Sequence, residues 1–235
     1  MAEFHKLLAR LKDALEKPQA PAAHENHAAA APPLPVASIA QRAELVSTFA
    51  RELEAVSGRF LGSLSAEQAA ASVVALARDN AAKSAAIGEG VVTKMSLFSA
   101  ALDAAGCALM KPRGIDKGQE KNRAAMIEQF AACDIGIAEA HYAIASTGTF
   151  AVMTAEARPS SLTLLPPISV IIVNIDRVVP NLAAAIAAFG ADAISANRVT
   201  FITGPSRTAD IEKRIVMGVH GPKMLYGAII WPENE

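Results

Sequence analysis

The stretch Ser169-Val170-Ile171-Ile172-Val173-Asn174-Ile175 decides the fold. Its apolar residues run on without the alternation of a half-solvated strand, so this strand is buried on both faces, as in a parallel sheet covered by helices. Outward from it the pattern alternates. Towards the N-terminus, Ile39 to Val56 and Ala66 to Asn80 have helical periodicity, the second opened by Ser65 as N-cap with Glu67 in its first turn. Ala85-Ala86-Ile87 follows as a weak strand, Val92 to Ala104 as a helix, Cys107 to Met110 as a strand and Gln119 to Ala132 as a helix. Asp134 to Ala138 is extended, and Tyr142 to Ala145 and Phe150 to Thr154 are strand-like. Towards the C-terminus, Pro180 to Phe189 is a helix with Pro near its first turn and Gly190 closing it. Val199 to Ile202 and Leu225 to Trp231 supply the last strands, around a predicted helix from Ala209 to Met217 that Gly218 ends. Strands alternating with helices predict an α/β protein, a three-layer, mostly parallel sheet with helices on both faces.

In such sheets ligands sit beyond the carboxyl ends of the strands. Three polar segments fall there: Ser146 to Thr149, Asn174 to Arg177 and Gly204 to Asp210. The last belongs to the run Thr203-Gly-Pro-Ser-Arg-Thr-Ala-Asp-Ile-Glu212, continuing to Val219-His220-Gly221-Pro222. Between a strand and a helix, it would crowd polar atoms at a helix N-terminus, where unpaired N–H groups attract anions. Ser206 or Thr208 can cap that helix, with Asp210 and Glu212 in its first turn. Arg207 is left over, because a cation at the positive end of a helix dipole calls for a carboxylate partner, from the protein or from a ligand. Ser146-Thr147-Gly148-Thr149 offers hydroxyls and N–H groups that can cradle a carboxylate or phosphate. The simpler alternative is a hairpin turn in which Gly148 supplies a positive φ. No Walker A pattern and no G-x-G-x-x-G after a strand occurs, so neither type of nucleotide binding has support.

Tyr142-Ala-Ile-Ala-Ser-Thr-Gly-Thr-Phe150, Leu164-Leu-Pro-Pro-Ile168 and GPSRTADIEKRIVMGVHGP (204–222) resemble, in that order, the lactate-utilisation protein C family of stand-alone LUD-domain proteins, over roughly residues 38 to 231. The resemblance implies a fold similar to the CoA-transferase, sugar-phosphate-isomerase and formyltetrahydrofolate cyclo-ligase group. It also implies a part in oxidising L-lactate to pyruvate beside iron–sulfur partner subunits. The ligand-binding residues it suggests are Thr147, Gly148, Thr149, Gly204, Ser206, Arg207, Thr208 and His220, with Arg207 holding a small anion and no catalytic residue assigned. The chain departs from the family pattern at Ser146, where many relatives carry an acidic residue, and at His141, where they often have aspartate; an acidic role is therefore not carried over. The organisation expected is an amphipathic helix (1–16, with Phe4, Leu7, Leu8, Leu11 and Leu15 at helical spacing), a Pro/Ala-rich linker (17–37) and a LUD-like α/β domain (38–235).

With 235 residues, 52% hydrophobic, the chain has material for one sizeable core. Its 22 basic and 23 acidic residues give a net charge of -1, which supplies no global footprint for nucleic acid. The densest basic run (Lys111, Arg113, Lys117, Lys121, Arg123) is diluted by Asp116 and Glu120 and has no aromatic residues, which suits a solvated loop entering a helix. Cys107 and Cys133, the two cysteines, form no C-x-x-C pair, so no metal site and no cluster held by this chain alone is expected, and iron–sulfur clusters would belong to partners. His24 and His27 lie in the linker, where they have no fixed metal geometry. No run is long enough to enter a membrane, and a cytoplasmic location is expected. His141 suits a core position and His220 either a turn or the Arg207 pocket, while Glu139 and Glu156 are isolated carboxylates. Two other functions remain open: a stand-alone transferase, isomerase or ligase acting on a CoA ester, sugar phosphate or folate, and a structural or regulatory subunit, with homo-oligomers possible in either case.

Overall fold

The computed structural model describes residues 38–88, 90, 95–110, 120–154, 159–195, 198–209, 215–218 and 221–231. The chain divides into two compact units, Met1–Ala30 and Ala31–Glu235, and all the described residues fall in the second. The expected N-terminal helix and linker lie outside the described residues.

Helix α1 (Ile39–Ala55) starts where Ser38 and Gln41 form a capping box, the Ser38 hydroxyl accepting from the Gln41 N–H and the Gln41 side chain from the Ser38 N–H. Ser65 and Gln68 repeat the device at α2 (Ala66–Asp79). Between the two lies β1 (Arg59–Leu64), followed after α2 by β2 (Ser84–Ile87), α3 (Met95–Ala104), β3 (Ala108–Met110), α4 (Glu120–Ala131) and β4 (Ile135–Glu139). Then come β5 (Tyr142–Ile144), β6 (Thr149–Thr154), the one-turn α5 (Ser161–Leu164), β7 (Ile168–Asn174), β8 (Val178–Val179) and α6 (Leu182–Ser195). Strands β9 (Arg198–Ile202), β10 (Arg207–Ala209), β11 (Ile215–Met217) and β12 (Met224–Ile230) complete the domain.

Six strands form one sheet in the order β1-β12-β7-β4-β2-β3, and every pairing is parallel. Strand β7 lies inside it, between β12 and β4, with Val170, Ile171, Ile172 and Val173 fully buried. Ile168, Val170 and Ile172 pack with α2 and α3 on one face, whereas Ile171 and Val173 pack with Phe49 and Leu53 of α1 on the other. Met126 and Phe130 of α4 and Leu162 of α5 extend the second face's cover over Ala86 and Ala138.

A second sheet, β8-β5-β6-β9, adds to the expected architecture. One face, through Phe150 and Val152, shares the core of α1 and β7, and the other, through Tyr142, Ile144, Ala151 and Met153, is covered by Ala185 and Phe189 of α6. The central sheet is therefore flanked by helices on one side, and by helices, a small sheet and a further helix on the other. Three local expectations need correction. Arg59–Leu64 is an edge strand that its mixed burial and the shift at Phe60/Gly62 hide from the pattern. Helix α6 runs through Gly190 to Ser195 rather than ending there. The helix expected over Ala209 to Met217 is replaced by strands at both of its described ends, and 210–214 lie outside the described residues: Arg207, Thr208 and Ala209 pair antiparallel with Met217, Val216 and Ile215. Apolar spacing over nine residues cannot separate a short helix from a hairpin, and the β-branched Thr208, Ile215 and Val216 favour strands.

Asp134 ties together the amino ends of β2 and β4. Its Oδ2 accepts hydrogen bonds from the Lys83 N–H (2.8 Å), the Ser84 N–H (2.9 Å) and the Ser84 hydroxyl (2.8 Å). Burial pushes its carboxyl up, but these donors and the Lys83 charge outweigh burial and hold it below its ordinary value. A carboxylate whose folded value is depressed stabilises the fold above its unfolded pKa and loses that contribution as pH falls through the folded one. Asp134→Asn is therefore expected to cost about 1–2 kcal/mol at pH 7. In urea titrations the gap to wild type should narrow below about pH 4; an equal gap at pH 7 and pH 3 would contradict the assignment.

Candidate functional site

The Thr-Gly-Thr segment enters through a single 3-10 turn, Ala145–Thr147, and leaves through Gly148, whose φ 58 and ψ 36 are left-handed. The turn expected here, with Gly148 supplying a positive φ, is therefore present. A Cβ on Gly148 would lie 2.2 Å from the backbone nitrogen of Leu53, so the glycine lets this loop touch the last turns of α1. The Thr149 hydroxyl is buried and lies 2.8 Å from Thr147 Oγ1 and 2.7 Å from Thr203 Oγ1, which makes a chain of three hydroxyls. Thr147 and Thr203, at its ends, are exposed. Ser146 is exposed as well, and its N–H is bonded to the Pro180 carbonyl.

Thr203 opens the loop that carries the remaining expected residues. Gly204, at φ +80, lies against the carbonyl of Val56, where a Cβ would come within 2.5 Å. Arg207 is exposed and donates from Nη2 to Ser57 Oγ at 2.9 Å. Without a helix from Ala209, the argument from a positive dipole end no longer applies to this arginine. Its guanidinium sits instead just past the C-terminus of α1, the negative end of that helix, which favours a cation. Ser206 accepts from the Gly218 N–H and donates its own N–H to the Pro222 carbonyl, so the segment 221–222 returns beside it. Gly218 keeps its expected left-handed backbone at φ +69, but it follows strand β11. Thr208 is placed in β10 opposite Val216, and His220 lies outside the described residues.

Leu53 lies in the last turn of α1 and Ser57 two residues beyond its end, so the Thr147–Thr149 turn and Arg207 adjoin the same end of that helix. The structure thereby brings Thr147, Gly148, Thr149, Gly204 and Arg207 to one neighbourhood. Two members were not among the expected site residues: Ser57, and Thr203, which opens the polar run. Its contact with Thr149 follows from the β6–β9 pairing, whose register continues from Phe150↔Ile202 to place Thr203 opposite Thr149.

The carboxyl end of β7 is polar, but its groups are engaged with one another. Asn174 Oδ1 accepts the Asp176 N–H at 2.9 Å, Asp176 pairs with Arg42 at 2.8 Å, and Arg177 bonds the Tyr142 hydroxyl at 2.9 Å while stacking over its ring. His141 is half-buried and its Nδ1 accepts the Met153 N–H, the satisfied core position expected for it. Glu139 ends β4 with its side chain buried, a position that isolated carboxylates on loops do not foretell.

Cys107 and Cys133 are buried. Burial, the Asp134 charge and Cys107 push the Cys133 thiol up to about 11, and burial and Asp134 also raise Cys107. Both shifts favour the protonated thiol. Among the described residues no group of three or more His, Cys, Asp or Glu side chains is placed to hold a metal ion, and no helix is long and apolar enough to cross a membrane.

A parallel α/β sheet with a hydroxyl-lined loop and an arginine at one helix end defines a class. A crystal structure of a DUF162 family protein from Deinococcus radiodurans has the same fold, with a TM-score of 0.57 and 18% identity over 80% of this chain and 98% of that one. The chain belongs to the LUD domain family, whose profile matches residues 46–230. It is 35% identical over 101 residues to lactate utilization protein C of Halalkalibacterium halodurans, which is 41% of this chain and 44% of that protein. To lactate utilization protein C of Bacillus subtilis it is 34% identical over 116 residues, 46% of this chain and 44% of that protein. The match thus spans less than half the length of these relatives.

Proposed function

We propose that this chain serves lactate utilisation as a subunit without clusters, acting beside iron–sulfur partners in the oxidation of L-lactate to pyruvate. The observation that carries the reading is the family match across 46–230 together with relatives that bear the lactate utilization protein C name. The donor set supports the division of labour: an iron–sulfur cluster takes about four thiolates, and this chain has two buried thiols, both shifted towards the protonated form. On this reading the clusters are assigned to its partners.

The contribution proposed for this chain is a small-anion site or an assembly surface. Arg207 would hold a carboxylate, with the exposed hydroxyls of Thr147 and Thr203 as donors oriented by Thr149. Gly204, Ser206, Thr208 and His220 belong to the same proposed loop. Adjacency at one end of α1 favours this arrangement, and so does the unequal exposure along the hydroxyl chain.

Two measurements test the reading. Deleting the gene from its host should abolish growth on L-lactate while sparing growth on other carbon sources, and normal growth on lactate would overturn the functional assignment. Pyruvate or lactate should raise the melting temperature of the purified chain, by mass action. Arg207→Ala should weaken that binding by about 10- to 100-fold, the worth of a charge-assisted hydrogen bond. An equal shift in wild type and variant would remove Arg207 from the site, and turnover of a CoA ester by the isolated chain would favour the stand-alone enzyme.

A further inference from the structure

We propose that two copies of this chain join through the edge of β9 that no strand among the described residues covers, fusing their small sheets into one continuous antiparallel sheet across a two-fold axis. Sheet edges in monomers are usually blunted. Among the described residues the other three edges of the two larger sheets are: β1 carries a register shift at Gly62 (φ +130), β3 has three residues, and β8 has two and runs into Pro180, while β10 and β11 of the separate hairpin have three residues each. Strand β9 has five residues with no Pro, no Gly and no shift in its register with β6. It also carries Phe201, 45% exposed, beside the buried Phe189 of α6 at 6.1 Å between ring centroids.

The pairing pattern shows which backbone groups are offered. Ala151 accepts the His141 N–H and Met153 donates to His141 Nδ1, so these residues of β6 turn their backbone polar groups towards β5. Phe150, Val152 and Thr154 then face β9, and the register makes Ile202, Thr200 and Arg198 their partners. Val199 and Phe201 are left with their N–H and C=O groups directed to that edge. An antiparallel copy centred on Thr200 matches these groups completely: Val199 exchanges hydrogen bonds with Phe201 of the partner subunit, and Phe201 with Val199 of the partner subunit. Each Phe201 ring then lies beside a valine on the α6 side of the sheet. Arg198 falls opposite Ile202 of the partner subunit, so like charges do not meet. The edge is thus complementary to itself in hydrogen bonding, shape and charge, which is what an isologous interface requires.

The full-length protein should sediment at twice the 24.4 kDa of one chain. Phe201→Lys, placing a charge on the edge, should raise the dimer dissociation constant by at least about tenfold. Thr200→Cys tests the register without relying on that variant's fold. Facing positions in a non-hydrogen-bonded antiparallel pair lie about 4.5 Å apart at Cα, within disulfide range, so mild oxidation should give a covalent dimer. Arg198→Cys, far from its own mate, should not cross-link. A wild-type monomer at micromolar concentration, or a dimer that Phe201→Lys leaves intact and Thr200→Cys fails to lock, overturns the proposal.

Discussion

Gly148→Ala is expected to lower stability by on the order of 3 kcal/mol or more, combining left-handed backbone strain of about 1–2 kcal/mol with overpacking of about 1–3 kcal/mol. The two causes are independent. The residue sits at φ 58, where a side chain is strained whatever the space. A Cβ would also meet Leu53 N at 2.2 Å, Leu53 Cα at 2.5 Å and the Glu52 carbonyl carbon at 2.6 Å. All three are backbone atoms in the last turn of a hydrogen-bonded helix, so no rotamer change relieves the contact; either α1 or the Thr147–Thr149 turn must move. Gly148→Asn separates the terms, because asparagine tolerates the left-handed region yet carries the same Cβ. Urea unfolding should show both variants strongly destabilised, with the asparagine only slightly better. A loss below about 1 kcal/mol in Gly148→Asn would mean that the helix and the loop are not in close contact. Ligand affinity should fall with stability, since the same movement displaces the Thr147–Thr149–Thr203 chain.

How much of this was legible in the sequence depends on how local each cause is. Strand β7 declares itself by unbroken apolar residues, and α2 by the Ser65 cap, because burial on both faces and capping each leave a mark within a few residues. Strand β1 does not, since an edge strand with a bulge has neither clean alternation nor a continuous apolar run. The small sheet was also hidden: β5, β6 and β9 were each recognisable as strands, but their pairing apart from the main sheet is a long-range choice. The loop of the candidate site shows the same limit. Arg207 stood out as a cation needing a counter-charge near a helix end, and a helix end is what it meets. That end is the C-terminus of α1, about 150 residues earlier in the chain, not the N-terminus of a helix following it. Ser57 joined the site only through such a long-range contact, and Thr203, though it opens the quoted run, gained its hydroxyl partner Thr149 the same way.

Phe150→Ala is expected to cost about 3–5 kcal/mol, the range for removing a fully buried phenylalanine. The ring is where the two sheets meet: it is fully buried, lies edge-on to Phe49 of α1 with centroids 5.0 Å apart, and reaches β12 at Gly227. There a Cβ on Gly227 would come within 2.5 Å of Phe150 Cζ and 3.0 Å of Leu53 Cδ2, so the glycine provides the gap that the ring fills. This reciprocity predicts a sign for the coupling between the two positions. Gly227→Ala alone should be destabilising, because a ring held by its neighbours cannot swing aside as a flexible chain end does. In the Phe150→Ala background the same methyl enters a cavity and restores part of the lost packing. The double variant should therefore be more stable than the sum of the single losses implies, by about 0.5–3 kcal/mol, as read from a double-mutant cycle of urea titrations. Simple additivity would show that Phe150 does not press on Gly227, and the small sheet would then need another anchor on the central one.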